Sequence, residues 1–322
     1  MTKRVIIDTD VGVDDALALI LAFKSPELEV EAVTTVSGNI HVDQVCKNVF
    51  QVFNALQWKD IPPVARGAEN FLQGAFTVGE DVHGRDGLGN LDEFYDQGKK
   101  RYPDTSPRLS PLTAEDMILD LAKRHPDEIS LITLGPLTNL AKGIMKDESA
   151  IRGLKEVIIM GGAVTVPGNI TPFAEFNIWA DPEAARLVLQ SDLPTTLVGL
   201  DVTHKVILSR RETEEGLKSR PNALSRFIHD CTGKYMVFHK RLEKFTGCYL
   251  HDPLAVGTAI DPSLVKKKRM SLEVVTRSGS TRGQVKPSSD RSTINVHTAD
   301  VCLHVETDRF LSLFLERAYR DN

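Results

Sequence analysis

Val5-Ile6-Ile7-Asp8-Thr9-Asp10-Val11-Gly12-Val13-Asp14-Asp15-Ala16-Leu17-Ala18-Leu19-Ile20 is the stretch whose reading decides the fold. A β-branched apolar run breaks into acid and then turns helix-like. Val5 to Ile7 reads as a buried parallel strand and Ala16 to Phe23 as a buried helix, so the acids occupy the connection between them. That connection is a strand's carboxyl end. In open α/β sheets ligands collect in the crevice outside such ends, and the following helix turns its positive end there.

The acids carry a second message. Asp8, Asp10, Asp14 and Asp15 fall within eight positions, and burying carboxylates unpaired costs on the order of several kcal/mol each. No Lys or Arg lies between Arg4 and Lys24. A bound cation is the economical local answer, and oxygen ligands select a hard ion such as Ca²⁺ or Mg²⁺. Asp14 as a helix N-cap with Asp15 in the first turn is the alternative. It leaves Asp8 and Asp10 unaccounted for.

Outward from this stretch, a strand-turn-helix rhythm repeats. Val30 to Val36 reads as a second strand ending at Ser37-Gly38-Asn39, followed by a helix from Val42 to Leu56 and a short strand over Ile61 to Ala65. The loop Asp81-Val82-His83-Gly84-Arg85-Asp86-Gly87-Leu88-Gly89 reads either as an active-site flap or as a solvated surface loop. A helix over Ala114 to Arg124 leads to a strand over Ile129 to Leu134, then a turn and a further helix. Val157 to Met160 is another strand. Asp181-Pro182-Glu183 opens a helix with Asp as cap and Pro at its first position, and Thr195 to Gly199 is one more strand. Such alternation predicts an α/β fold with a mainly parallel, doubly wound, Rossmann-like sheet flanked by helices. The later part is expected to be helix-rich from about Glu212 to Lys244. An antiparallel hairpin or sheet edge is expected between Met270 and Val305, and a terminal helix from Thr307 to Ala318. Lys266-Lys267-Lys268-Arg269 reads as the solvated edge of a connection. The whole chain, 1–322, is expected to be one domain.

Composition narrows the partners. Hydrophobic content of 41%, charged content of 26% and a net charge of −5 are ordinary globular values that argue against a general nucleic-acid surface. Small molecules are the expected partners. There is no secretory segment at the amino terminus and no 18-residue uncharged apolar run, so a soluble, cytosolic protein without a membrane span is expected. Cys46, Cys231, Cys248 and Cys302 are widely spaced and suggest neither a zinc knuckle nor a disulfide scaffold.

Asp8-Thr9-Asp10-x-Gly12-x-Asp14-Asp15 after an N-terminal strand resembles the signature of the inosine-uridine preferring nucleoside hydrolases. Asn39 at the end of the second strand, Gly168-Asn169 through Glu175-Phe176-Asn177, and His251-Asp252 match the same pattern in order. The resemblance implies that Asp10, Asp15 and Asp252, with the backbone carbonyl of Leu134, hold one Ca²⁺. It implies further that Asp14 takes the ribose 2′-hydroxyl and Asn177 the 3′-hydroxyl, that Asn169 and Glu175 hold the 5′-hydroxyl, and that Met160 packs near the sugar. Asn39 adds an amide suited to hydroxyl recognition.

The implied reaction is hydrolysis of a ribonucleoside N-glycosidic bond to ribose and free base through an oxocarbenium-like sugar. Asp10 is the expected general base on a Ca²⁺-bound water. His251 is the expected aid to the departing base, with His83 and His239 as the other candidates and a purely structural imidazole as the alternative. Base-contacting residues are expected near 76–90 and 225–250, and a homodimer or homotetramer by resemblance. Two competing readings are a haloacid dehalogenase-type phosphatase using Asp8 and Asp10, and a non-catalytic Ca²⁺-dependent nucleoside-binding protein.

Overall fold

Strand β1 (Lys3–Thr9) is the hub of the fold, pairing in parallel with β2 (Leu28–Thr35) on one side and with Ile129–Thr133 on the other. The computed structural model describes residues 2–76, 82–242, 244–288 and 297–320. Asp81 of the glycine loop, residue 243 of the helix-rich part and residues 289–296 within the expected hairpin lie outside them.

After β1 come α1 (Val13–Phe23), β2, α2 (Val42–Leu56) and β3 (Val64–Ala65). A small hairpin of β4 (Tyr95–Asp96) and β5 (Lys99–Lys100) precedes α3 (Ala114–Arg124), β6 (Ile129–Thr133), α4 (Thr138–Ile151) and β7 (Glu156–Met160). Then follow α5 (Phe176–Ala180), α6 (Pro182–Leu189), β8 (Thr195–Val198), the single turn α7 (Leu200–Thr203) and β9 (Ile207–Ser209). The chain closes with α8 (Arg210–Ser219), α9 (Ala223–Leu242), β10 (Gly247–Tyr249), α10 (His251–Ile260), β11 (Val265–Val274), β12 (Val285–Pro287), β13 (Thr298–Val305) and α11 (Thr307–Tyr319).

Nine strands form one sheet in the order β12-β11-β13-β8-β7-β6-β1-β2-β3. From β13 to β3 every neighbouring pair is parallel, whereas β11 runs antiparallel to both β13 and β12. The expected doubly wound sheet and its antiparallel edge are both present. Alternation along β1 sends Val5 and Ile7 to one apolar layer and Ile6 to the other. The first layer is built with α1, α2, α9, α10 and α11, and the second with α3, α4 and α6. Helix α1 lies deepest, with ten of its eleven residues buried.

One local reading is corrected. Lys266 to Arg269 lies inside β11 and not in a connection. Among the described residues this part of the strand pairs only with β13, so exposed cations decorate a sheet edge, the usual guard against edge-to-edge association. Lys267 is tied down by Thr196 Oγ1 at 3.1 Å and Arg269 by Asp300 at 3.2 Å. The segment between Leu91 and Arg101 carries a one-turn 3₁₀ helix and the β4–β5 hairpin. Arg101 anchors it, pairing with Asp96 and with buried Asp230 of α9, each at 2.7 Å.

Candidate active site

Asp10 follows the last residue of β1, Leu134 follows β6, Met160 ends β7 and Asn39 lies four residues past β2. The carboxyl ends of neighbouring strands therefore deliver these residues to one crevice. Helices α1 and α10 begin at the same place, bringing Asp14, Asp15, His251 and Asp252 with their positive ends.

Close backbone approach shapes the floor. At Gly12 a Cβ would stand 2.7 Å from Asn39 Nδ2 and 2.8 Å from His83 Nδ1. At Gly135 a Cβ would stand 2.8 Å from Asp10 Oδ1, and one at Gly38 would overlap Asp10 Oδ2. Asp15 organises the turn: Oδ1 accepts from the Thr9 hydroxyl at 2.6 Å, and Oδ2 from the Gly12 amide at 2.9 Å and from Asn39 Nδ2 at 3.2 Å. Asp10 Oδ2 accepts the Asn39 backbone amide at 2.6 Å, whereas Asp10 Oδ1 is buried with no hydrogen-bond partner among the described residues. Asp8 points to Thr34 Oγ1 (2.5 Å) and Asn139 Nδ2 (2.7 Å), beneath the site.

Oxygen atoms of Asp14, Asp15 and Asp252 lie within 4.8 Å of one another. The trio expected from sequence had Asp10 in place of Asp14; the structure draws both into one acidic cluster. Burial, then repulsion from Asp15, pushes the carboxyl pKa values of Asp10 and Asp14 well above the ordinary range. Burial, then Asp14, Asp15 and Asp10, does the same to Asp252. No Lys or Arg is among the described residues lining the adjoining cavity. Clustered hard oxygens, one of them without any partner, suit a divalent cation that lowers this repulsion.

The cavity holds about 450 Å³ and is lined by Asp14, Asn39, His83, Leu134, Met160, Asn169, Glu175, Asn177, His239, His251 and Asp252 among others. Every expected site residue except Asp10 and Asp15 reaches its wall directly; those two lie beneath. Asn177 Nδ2 donates to the Leu134 carbonyl at 2.7 Å and the Met160 carbonyl at 3.2 Å, leaving its own carbonyl oxygen for other partners. Glu175 caps α5, with Oε1 accepting from Asn177 N–H (2.8 Å) and Oε2 from Gly162 N–H (2.9 Å) and Ile178 N–H (3.2 Å). Asn169 stands on the exposed rim with its Oδ1 accepting the Phe176 amide at 3.0 Å.

All three candidate histidines line the cavity. His83 is delivered by its loop, which Asn48 pins by donating to the carbonyls of Asp86 (2.7 Å) and Val11 (3.1 Å). The Val13 amide at the start of α1 donates to His83 Nδ1 at 3.1 Å, and burial lowers the His83 pKa to about 4. His251 Nδ1 lies 2.8 Å from Thr203 Oγ1, and burial with neighbouring imidazoles lowers its pKa well below the usual value. Sequence reasoning did not single out His204, Phe176, Trp179, Tyr235, Phe238 or Tyr249 as lining residues, although Tyr235, Phe238 and Tyr249 fall in the 225–250 segment expected to hold base-contacting residues. His204 was findable, since it follows one turn after the carboxyl end of β8. The aromatic rings carried no pattern separating them from core.

Among the described residues no helix is long and apolar enough to cross a membrane. The family profile described as inosine-uridine preferring nucleoside hydrolase matches residues 5–312. Uridine nucleosidase 1 of Arabidopsis thaliana is 34% identical over 85% of this chain and 79% of its own length. A protein of Citrobacter koseri called pyrimidine-specific ribonucleoside hydrolase RihA is 34% identical over 98% of both chains. Among solved structures, the plant nucleoside hydrolase PpNRh1 superposes with a TM-score of 0.91 at 31% identity over 100% of both chains. A purine-preferring ribonucleoside hydrolase from Gardnerella vaginalis gives a TM-score of 0.90 at 31% identity over 98% of both. The phosphatase reading, which explained only Asp8 and Asp10, gives way to a match spanning nearly the whole chain, and the reading as a binding protein without catalysis goes with it: this chain belongs to the inosine-uridine preferring nucleoside hydrolase family and is a nucleoside hydrolase.

Proposed function

We propose that the chain is a Ca²⁺-dependent hydrolase that cleaves the N-glycosidic bond of ribonucleosides to ribose and free base. The observation that carries this reading is a cavity floored by buried acid, with the unpartnered Asp10 Oδ1 below it and imidazole and aromatic rings around it. Asp10, Asp15, Asp252 and the Leu134 carbonyl would hold the ion. When bound, it supplies Lewis-acid polarisation of water and charge compensation for the acids.

Asp10 takes a proton from the attacking water as that oxygen bonds to the anomeric carbon. The glycosidic electron pair leaves with the base. Asp14 holds the 2′-hydroxyl and Asn177 the 3′-hydroxyl, with Asn39 alongside. Glu175 and Asn169 hold the 5′-hydroxyl, and Met160 packs against the sugar. Developing positive charge on the ring faces the acidic floor, which favours the oxocarbenium-like transition state. His251 donates a hydrogen bond to the departing base, and His83 and His239 border it. Residues 1–322 act as one domain, a reading supported by the single sheet that takes strands from both ends of the chain.

A reducing-sugar assay over a panel of purine and pyrimidine ribonucleosides, with and without chelator, tests the proposal. Ribose release that stops on chelation and returns with Ca²⁺ is expected. Full activity after exhaustive chelation would sink the metal reading.

A further inference from the structure

His251 meets a side-chain hydroxyl at Nδ1, whereas His83 Nδ1 accepts the Val13 amide and His239 Nδ1 lies against the Tyr235 carbonyl. The hydroxyl at His251 is that of Thr203, at 2.8 Å. Thr203 is fully buried at the end of the single turn α7, whose N-cap is Gly199 past β8. The Thr203 amide is spent on the Gly199 carbonyl at 3.1 Å. His251 is the only partner of the Thr203 hydroxyl among the described residues. A buried hydroxyl must place its one proton on an acceptor. Here that acceptor is Nδ1. An uncharged imidazole that accepts at Nδ1 carries its own proton on Nε2.

We propose that Thr203 is a positioning residue for the hydrolysis: its hydroxyl donates to Nδ1 of His251, fixing the ring and turning an Nε2–H donor toward the departing base. The inference rests on the reading of His251 as the leaving-group residue. As the bond between the base nitrogen and the anomeric carbon breaks, its electron pair stays on the base. Nε2–H then donates a hydrogen bond to a ring nitrogen or carbonyl of that base. No proton need leave the imidazole, so the step balances. Threonine suits the task because its branched Cβ restricts χ1 and full burial holds the hydroxyl on one line. Serine would keep the donor with less restraint. Valine would keep the shape and lose the donor.

The test uses Thr203→Val, Thr203→Ser, His251→Ala and the Thr203→Val/His251→Ala double variant, each assayed for kcat on uridine, inosine and p-nitrophenyl riboside. Thr203→Val should lose about 10-fold on the nucleosides and less than about 3-fold on the nitrophenyl substrate, whose leaving group needs no donor. Thr203→Ser should recover most of the loss. The double variant should match His251→Ala, since Thr203 acts through that ring. Nitrogen-15 histidine spectra of the wild type, assigned with His251→Ala, should show Nδ1 bare and Nε2 protonated. A protonated Nδ1 overturns the assignment whatever the kinetics, as does a full further loss from Thr203→Val in the His251→Ala background. A preferential nucleoside loss in His251→Ala with none in Thr203→Val overturns the role of Thr203 alone. Equal losses on all substrates in His251→Ala overturn the reading of His251 and this inference with it.

Discussion

Replacing Gly135 by alanine presses one methyl group against Asp10 and tests whether the placement of that carboxylate sets the rate. Gly135 does not have a positive φ, so alanine adds no backbone strain of its own. The added Cβ would stand 2.8 Å from Asp10 Oδ1, 2.9 Å from Cγ and 3.0 Å from Cβ. Comfortable carbon contacts are about 3.5–4.0 Å, so the side chain must retreat by on the order of half an ångström or more. It has little room, because Oδ2 occupies the space against Gly38 and is held by the Asn39 amide at 2.6 Å. Overpacking of this kind costs about 1–3 kcal/mol of stability. Misplacing a reacting group by about an ångström costs about 10²-fold in rate. Gly135→Ala should therefore lower kcat for ribose release by about 10²-fold and lower Tm by a few degrees, with KM much less changed. Gly233 in α9 is the control, since a Cβ there meets nothing within 4 Å; Gly233→Ala should stabilise the helix by about 0.5–1 kcal/mol at full activity. Gly135→Ala with wild-type kcat would refute the crowding of Asp10 or its part in the reaction.

Asp10→Asn keeps one oxygen toward the Asn39 amide but removes the proton acceptor, so turnover should fall by about 10³-fold or more while the chain stays folded; retained kcat would remove Asp10 as the base. Elemental analysis of the purified protein should find calcium, and Ca²⁺ should raise the Tm of chelated wild type more than that of Asp252→Asn. Equal gains would place the ion elsewhere. Asp8, raised from 3.8 to about 7 by burial, keeps a proton in the folded chain over an interval where the unfolded chain has released it. The stability it contributes is whole below pH 3.8 and lost as pH rises through about 7. At constant Ca²⁺, the Tm of Asp8→Asn relative to wild type should climb across that window, and a pH-independent difference would show that Asp8 is not the titrating group.

Much of this molecule was legible wherever one residue pattern has one physical solution. The apolar run Val5 to Ile7 had to be a buried strand, and the spans Val42–Leu56 and Ala114–Arg124 were read with the boundaries observed for α2 and α3. Asp181 before Pro182 announced α6 through its cap, and the structure shows Asp181 Oδ1 accepting the Ala184 amide at 3.1 Å. Strand order is another matter. That β13 inserts beside β8 while β11 reverses depends on pairings between distant segments, to which local periodicity is blind. In the site, acids and amides at strand ends were visible because such groups are costly to bury. The inclusion of Asp14 beside Asp15 and Asp252 depends on how α10 docks against α1, which no local motif spells out. Tyr235, Phe238 and Tyr249 lie in the segment expected to border the base but were not named, because an aromatic ring on a helix or short strand looks the same whether it faces core or cavity. Lys266 to Arg269 was misplaced because a charged edge strand and a polar loop share a composition.

Helix α1 has a consequence for how this family diversifies. It carries Asp14 and Asp15 on a helix with ten of its eleven residues buried, packed against α10. The opposite wall is built differently. His83 rides on a loop pinned through Asn48, and Tyr235, Phe238 and His239 sit on α9, whose Val237 and Leu242 face solvent. Substitutions in the first region disturb the core; on α9 Tyr235 and His239 are buried as well, whereas half-buried Phe238 and exposed Leu242 can vary at less cost to packing. Variation at Phe238 and Leu242 can thus alter the cavity wall while the acidic floor stays fixed. Relatives 34% and 31% identical to this chain carry names as different as pyrimidine-specific and purine-preferring, as expected when part of a cavity wall can vary over a fixed floor.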